Sequence, residues 1–192
     1  MLMNRILGAF TFRNGIYAEV EHDENFTRTA WWIVVVVAFL NELGSNVSGD
    51  VGGWLLGALG GTLVAVVGFA AVAYLLYWIG DRFFYAEVTF QELVRVAGLA
   101  YVWRIVGLFG VFGVLSANIT STLVFIGEIF WLIALLVAIK EALDKEWFIT
   151  IVIAFLSWLG WIVVRIVLGT ILYWTGFAAN WFEAFFEMIF GG

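Results

Sequence analysis

The chain has no cysteine and a single histidine in 192 residues. Disulfides, thiol chemistry and thiolate metal sites are therefore excluded. One histidine without cysteine also leaves no ligand set for a conventional metal hydrolase. Charge is scarce: Asp, Glu, Lys and Arg together make up 12% of the residues, about half the share of a soluble domain. The net charge of −6 has the wrong sign for nucleic acid, which wants a basic face. No HExxH, no P-loop pattern and no GxSxG is present. No nucleophile–base pair stands out either, so the expectation is a non-enzyme without cofactor or metal.

What is abundant is apolar. Such residues make up 64% of the chain, and the mean hydropathy is +1.04. A soluble domain of this length could not hide so many apolar side chains, whereas lipid can. Eleven Trp and nineteen Phe suit broad interfacial and lipid-facing surface. Met1–Phe10 is too short for a signal peptide, and an acidic run rather than a small-residue cleavage site follows it. The expected fold is an all-α integral membrane protein: five transmembrane helices in one bundle, with short interfacial helices at both ends.

Residues 1–28 read as an amphipathic and acidic segment. Leu2, Ile6, Leu7 and Phe10 recur at helical spacing, which predicts a short helix lying on the membrane. Asn14-Gly15 ends it, and the acidic run Glu19–Glu24 follows. The lone His22 lies in that run. A divalent-cation site with Glu19, Glu21, Asp23 and Glu24 is one reading, and a solvated helix face is the bland one. Spans are predicted over about 29–48, 51–79, 92–115, 121–139 and 147–174. The first has an apolar core of only about 11 residues, short of the ~20 needed to cross. It spans only if other helices shield its polar half. The second carries Gly53, Gly57, Gly61 and Ala65 on one stripe, which permits close helix approach. Internal packing is the plain use of that stripe, and homo-oligomerisation the alternative. Thr89-Phe-Gln-Glu92 has the capping-box form that starts a helix. Residues 175–192 carry Trp181, Phe182, Phe185, Phe186 and Ile189 at near-helical spacing and predict a second interfacial helix. The sequons Asn46-Val-Ser48 and Asn118-Ile-Thr120 sit too near the membrane to carry weight.

Four ionisable groups fall inside the predicted spans: Glu42, Arg104, Glu128 and Arg165. Such groups cost several kcal/mol unless paired or hydrated. At ~1.5 Å per residue, Glu42 and Arg104 each lie about 18 Å from the start of their spans. Glu128 and Arg165 lie about 11 and 13 Å from the far ends of theirs. Depth thus predicts two pairs, Glu42 with Arg104 and Glu128 with Arg165. With Asn41 and Tyr101 they form the candidate intramembrane polar site. Two uses are open: pinning helix register, or lining a polar cavity for a headgroup, ion or proton.

The string from Asn4 to Asp23, the pair Trp31-Trp32, the Gly-rich second span and Thr89–Tyr101 together resemble prokaryotic members of the Yip (Ypt-interacting protein) domain family. The likeness covers almost the whole chain and carries no catalytic motif. It implies a five-span fold, a cytoplasmic N-terminus and a prokaryotic plasma membrane. Eukaryotic relatives sit in early secretory membranes and bind Rab-type GTPases. That activity is not carried over, because the long cytosolic N-terminal region it uses is missing here. The family also often places a proline soon after the position of Tyr101; here Val102-Trp-Arg104 follows, and the chain has no proline at all. The expected partners are the lipid bilayer, a second copy, or a protein at the cytoplasmic face. The leading functional expectation is a protein that organises lipid or recruits partners, with a small transporter, channel or lipid translocator as the alternative.

Cationic segments alternate with uncharged ones along the five spans. Arg5, Arg13 and Arg28 precede the first, Arg82 follows the second, and Lys140 and Lys145 follow the fourth. The positive-inside rule therefore puts the N-terminus in the cytoplasm and the C-terminus outside. A reporter active only in the cytoplasm should be active when fused to the N-terminus and silent at the C-terminus; activity at the C-terminus would reverse the topology.

Overall fold

A computed structural model describes residues 2–45, 50–114 and 117–174, excluding the side chains at 113, 114, 117, 118, 165 and 167–174. The described residues form helices joined by short connectors, with no strand among them. Two short helices, α1 (Leu2–Phe10) and α2 (Ile16–Glu21), precede α3 (Phe26–Ser45) and α4 (Val51–Phe84). Then come α5 (Phe90–Ala100), continued by a 3-10 helix over Tyr101–Val114, α6 (Ala117–Leu143) and α7 (Trp147–Trp174). Five of these stretches are long and apolar enough to cross a membrane: Phe26–Ser45, Val51–Phe84, Phe90–Phe112, Ile119–Leu143 and Trp147–Val164. This is an integral membrane architecture. The interfacial helix expected over 175–192 lies outside the described residues.

Helix ends differ from the sequence expectation because apolarity marks contact with lipid, not the end of hydrogen bonding. The second span does not stop at 79; it continues through Asp81 and Arg82 to Phe84, and Tyr85 closes it in the left-handed region at φ 51°. The fourth span begins at Ala117 rather than 121 and keeps Lys140 and Glu141 within the helix. The start of α5 is as expected. Glu92 N donates to Thr89 Oγ1 at 3.2 Å, and Thr89 N donates to Glu92 Oε2 at 2.7 Å, so two orphan donors are satisfied reciprocally. At the start of α4 the Asp50 carboxylate accepts from Gly52 N and Gly53 N, and it occupies the space a Gly53 side chain would need.

The third span is the most enclosed. Of its most apolar stretch 56% is buried, against 39% for the first span and 17–22% for the others. It runs between α3 and α6, while α4 packs on α3, and α7 on α4 and α6. Its second half is a 3-10 helix of 14 residues, where runs longer than about four are uncommon. Side chains three apart eclipse in this geometry. The sequence fits that period: Tyr101, Arg104, Gly107 and Gly110 fall on one stripe, and Trp103, Val106, Phe109 and Phe112 on another. Glycine makes the eclipsing cheap where the helix meets α3. A Cβ on Gly44 would collide with the Gly107 carbonyl oxygen, and one on Gly110 with the Gly44 carbonyl oxygen. Asn41 Nδ2 fills the place of a Gly107 side chain and donates to the Arg104 carbonyl at 2.9 Å. The two backbones touch because neither carries a side chain at the crossing. Ala30 against Gly98 continues the contact towards the other end. This is how the short apolar first span is accommodated: its polar half faces protein.

The N-terminal residues also depart from expectation. The predicted helix forms as α1, but Glu19 and Asp23 of the acidic run after it are bonded to arginines. Arg5 bonds Glu19 at 2.9 Å and Asp23 at 2.7 Å, and Arg13 bonds Glu19 at 2.5 Å. The hydrogen bond from Arg5 holds the Asp23 carboxyl below its usual range. Ile16, Tyr17 and Val20 of α2 are buried, against α5 and α6. Trp103 stacks on Phe130 with centroids 4.7 Å apart and meets Phe10 edge-on at 5.0 Å, while its Nε1 donates to the Ala9 carbonyl at 3.3 Å. Only one side of α1 is left open, at Leu2, Met3 and Leu7.

Gly44→Ala should destabilise the fold by about 1–3 kcal/mol or more, the cost of forcing extra volume into a filled contact. Gly60→Ala meets nothing within 4 Å and should be neutral or stabilising by up to about 1 kcal/mol, since Ala is the better helix former. Thermal unfolding of the two variants in one detergent separates them; equal losses would remove the backbone crossing from the account.

Candidate polar site within the membrane spans

Arg104 is the centre of the site. It sits on the first full turn of the 3-10 helix, three residues after Tyr101, so the two eclipse and Arg104 Nη1 reaches the Tyr101 hydroxyl at 3.2 Å. Its Nε donates to Glu128 Oε1 of α6 at 3.3 Å. The guanidinium lies over the rings of Trp131, 4.8 Å from the centroid, and Tyr101, 5.4 Å away. Glu128 and Trp131 are also three apart, on one face of α6. Two i,i+3 pairs from adjacent spans thus enclose one cation with a carboxylate, a hydroxyl and two π faces. The rings are themselves braced: Tyr101 meets Phe69 at 5.6 Å, and Phe69 meets Trp31 at 5.5 Å, both edge-on.

The pairing differs from the one depth predicted. Arg104 is joined to Glu128, the partner that depth had set against Arg165. The Arg165 side chain lies outside the described residues. The reason is helix geometry. Because α6 starts four residues early, Glu128 is deeper by about 6 Å than expected. Because Arg104 follows a change to ~2.0 Å per residue, it lies about 23 Å from Phe90, and Glu128 lies about 22 Å from Leu143. Those two ends are on the same side, so the groups share one level.

Asn41 and Glu42 turn to different neighbours. Asn41, 6% exposed, serves the 3-10 backbone. The Glu42 carboxylate lies in the notch at Gly61 of α4, where a Cβ would overlap it, and within electrostatic reach of Tyr101. So Asn41, Tyr101, Arg104 and Glu128 come together, with Glu42 on the α4 side. Gly53, Gly57, Gly61 and Ala65 are all half-buried on α4; the Asp50 cap lies at Gly53, Glu42 at Gly61, and Ala65 packs against the buried core. Sequence reasoning missed Trp131, Gly107 and Gly44. The three-residue spacing of Gly107, Gly110 and Gly113, rather than the four-residue one, was the available signal.

A second buried cation, Arg95, is 5% exposed and ties α5 to α3 through Thr27 Oγ1 at 3.2 Å, with Glu92 3.8 Å away. His22 lies by the Ala18 carbonyl, Nδ1 at 2.9 Å, and Glu19 and Asp23 are bonded to arginines. No group of three His, Asp or Glu side chains placed to hold a metal occurs among the described residues.

No protein-family model, no curated protein and no solved structure matches the chain.

Arg104→Gln or Glu128→Gln alone should cost about 2 kcal/mol, less than the 3–5 of a fully buried pair because both side chains keep partial exposure. The double variant should lose less than the sum of the two, and a double-mutant cycle on unfolding in detergent measures this. Strict additivity would show that the pair is not coupled.

Proposed function

We propose that the chain is a non-enzymatic polytopic membrane protein of the Yip-domain type, one that organises lipid or recruits partners. In this reading its five spans form one bundle in a prokaryotic plasma membrane. The N-terminus is cytoplasmic, the C-terminus is outside, and the terminal helices lie at the interface. The observation that carries it is the state of the intramembrane charges. Arg104 is held by Glu128, Tyr101 and Trp131, and Asn41 is committed to backbone, so these groups act as internal fastenings. Near the start of the chain, α1 leaves an apolar side open at Leu2, Met3 and Leu7. That strip suits a helix resting among headgroups, with a protein partner or a second copy beside it. The alternation of positive charge supports the orientation. Lys145 reaches from the end of the fourth span to the Tyr85 carbonyl at the end of the second, 3.1 Å away, so those two ends lie on one side.

One observation favours a transport reading instead. The Arg104 and Glu128 side chains keep 27% and 33% of their surface open, and an intramembrane ion pair with access to its surroundings is where a headgroup or ion would pass.

Reconstitution decides between them. Proteoliposomes should show ion flux and lipid scrambling at the level of empty liposomes, and Arg104→Gln and Glu128→Gln should change neither. Flux above background that either substitution abolishes would replace the organising role with transport.

A further inference from the structure

Charges near the start of α3 are used unequally. Arg5, Arg13, Glu19 and Asp23 are bonded to one another. Glu24 and Arg28 are both exposed, and neither side chain makes a hydrogen bond or ion pair among the described residues. They lie on the rim of an open groove of about 730 Å³ whose wall continues with Trp31, Trp32 and Val35. Trp31 is held edge-on against Phe69 of α4. Trp32 is 59% exposed.

Their order along the chain matters. Glu24 lies before the first turn of α3, Arg28 in it, the two tryptophans one turn deeper, and Val35 one turn deeper again. Tryptophan pairs of this kind sit at headgroup level, and the turn beyond them enters hydrocarbon. A phospholipid with an aminoethyl headgroup presents the matching order: ammonium outermost, then phosphate, glycerol and acyl chain. We propose that this groove binds one phosphatidylethanolamine molecule, its phosphate on Arg28, its primary ammonium on Glu24 and its first acyl carbons along Trp32 and Val35. A guanidinium recognises phosphate through paired N–H donors, and a primary ammonium donates to a carboxylate through charge-assisted hydrogen bonds. A choline headgroup has no N–H to donate, and an anionic glycerol headgroup would place no cation at Glu24. The predicted selectivity is therefore for the primary amine over both.

The site rests on the lipid-organising reading above, yet it fails separately, because lipid retention and flux are different measurements. The full chain in detergent is titrated with phosphatidylethanolamine, phosphatidylcholine and phosphatidylglycerol of identical acyl chains, and retained lipid is read by native mass spectrometry. The wild-type chain should retain one phosphatidylethanolamine about fivefold or more in preference to either other lipid, the scale of one charged hydrogen bond. Glu24→Gln should reduce that preference to the level of phosphatidylcholine. Arg28→Gln should lower retention of both zwitterionic lipids together. Both positions are exposed, and unchanged helicity and elution volume confirm the fold. Equal retention of the three lipids, preference for phosphatidylglycerol, or a preference untouched by both substitutions each overturns the proposal. So does a dimer that forms in place of lipid binding and is lost in Arg28→Gln, since the groove would then be a contact between copies.

Discussion

Everything in the middle of this molecule depends on the contact of two backbones. Where Gly44 of the first span meets Gly107 and Gly110 of the third, no side chain separates them. In a lipid environment apolar side chains gain little by leaving one apolar medium for another, so close packing and satisfied polar groups must hold helices together. The crossing supplies both. Bare backbones give the packing, and Asn41, one turn away, gives a hydrogen bond to the Arg104 carbonyl. A first span too short in apolar length becomes tenable because Asn41 and Gly44 are buried against the third span and Glu42 sits at Gly61 of α4.

The same crossing positions the charged centre. It favours a three-residue repeat in the third span, and that repeat puts Tyr101 directly behind Arg104. The fourth span answers with Glu128 and Trp131 at the same spacing. Arg104 therefore meets a carboxylate, a hydroxyl and aromatic faces within one layer. An isolated charge at this depth would be costly; here the cost is offset by partners drawn from two spans, and the third span cannot rotate without losing them.

Much of the architecture was legible beforehand. Long apolar runs identified the second, fourth and fifth spans, and Thr89 with Glu92 announced the start of α5. Of the six residues grouped as the candidate polar site, Tyr101, Arg104 and Glu128 meet through their side chains, and Asn41 bonds the Arg104 backbone. The partner of Arg104 was not legible, because depth was counted from helix ends that apolarity misplaces and with one rise for every residue. The arginine bonds of the N-terminal segment were not legible either. They join residues 6 to 18 apart across the turn at Thr11–Gly15, and in one dimension such charges look like a solvated run. Gly107 and Gly110 were visible all along, but a search at four-residue spacing passes over a three-residue one.

The length of the third span is set by its neighbour. Wound as an α-helix, its fourteen 3-10 residues would be shorter by about 7 Å, since each residue rises ~1.5 Å in place of ~2.0 Å. That difference exceeds the few ångströms by which cellular membranes differ in thickness. The extended form lasts as long as Gly107 and Gly110 stay seated on α3. The hydrophobic thickness this protein presents to a bilayer is thus not a count of its apolar residues; it is a dimension held by two glycines against a neighbouring helix.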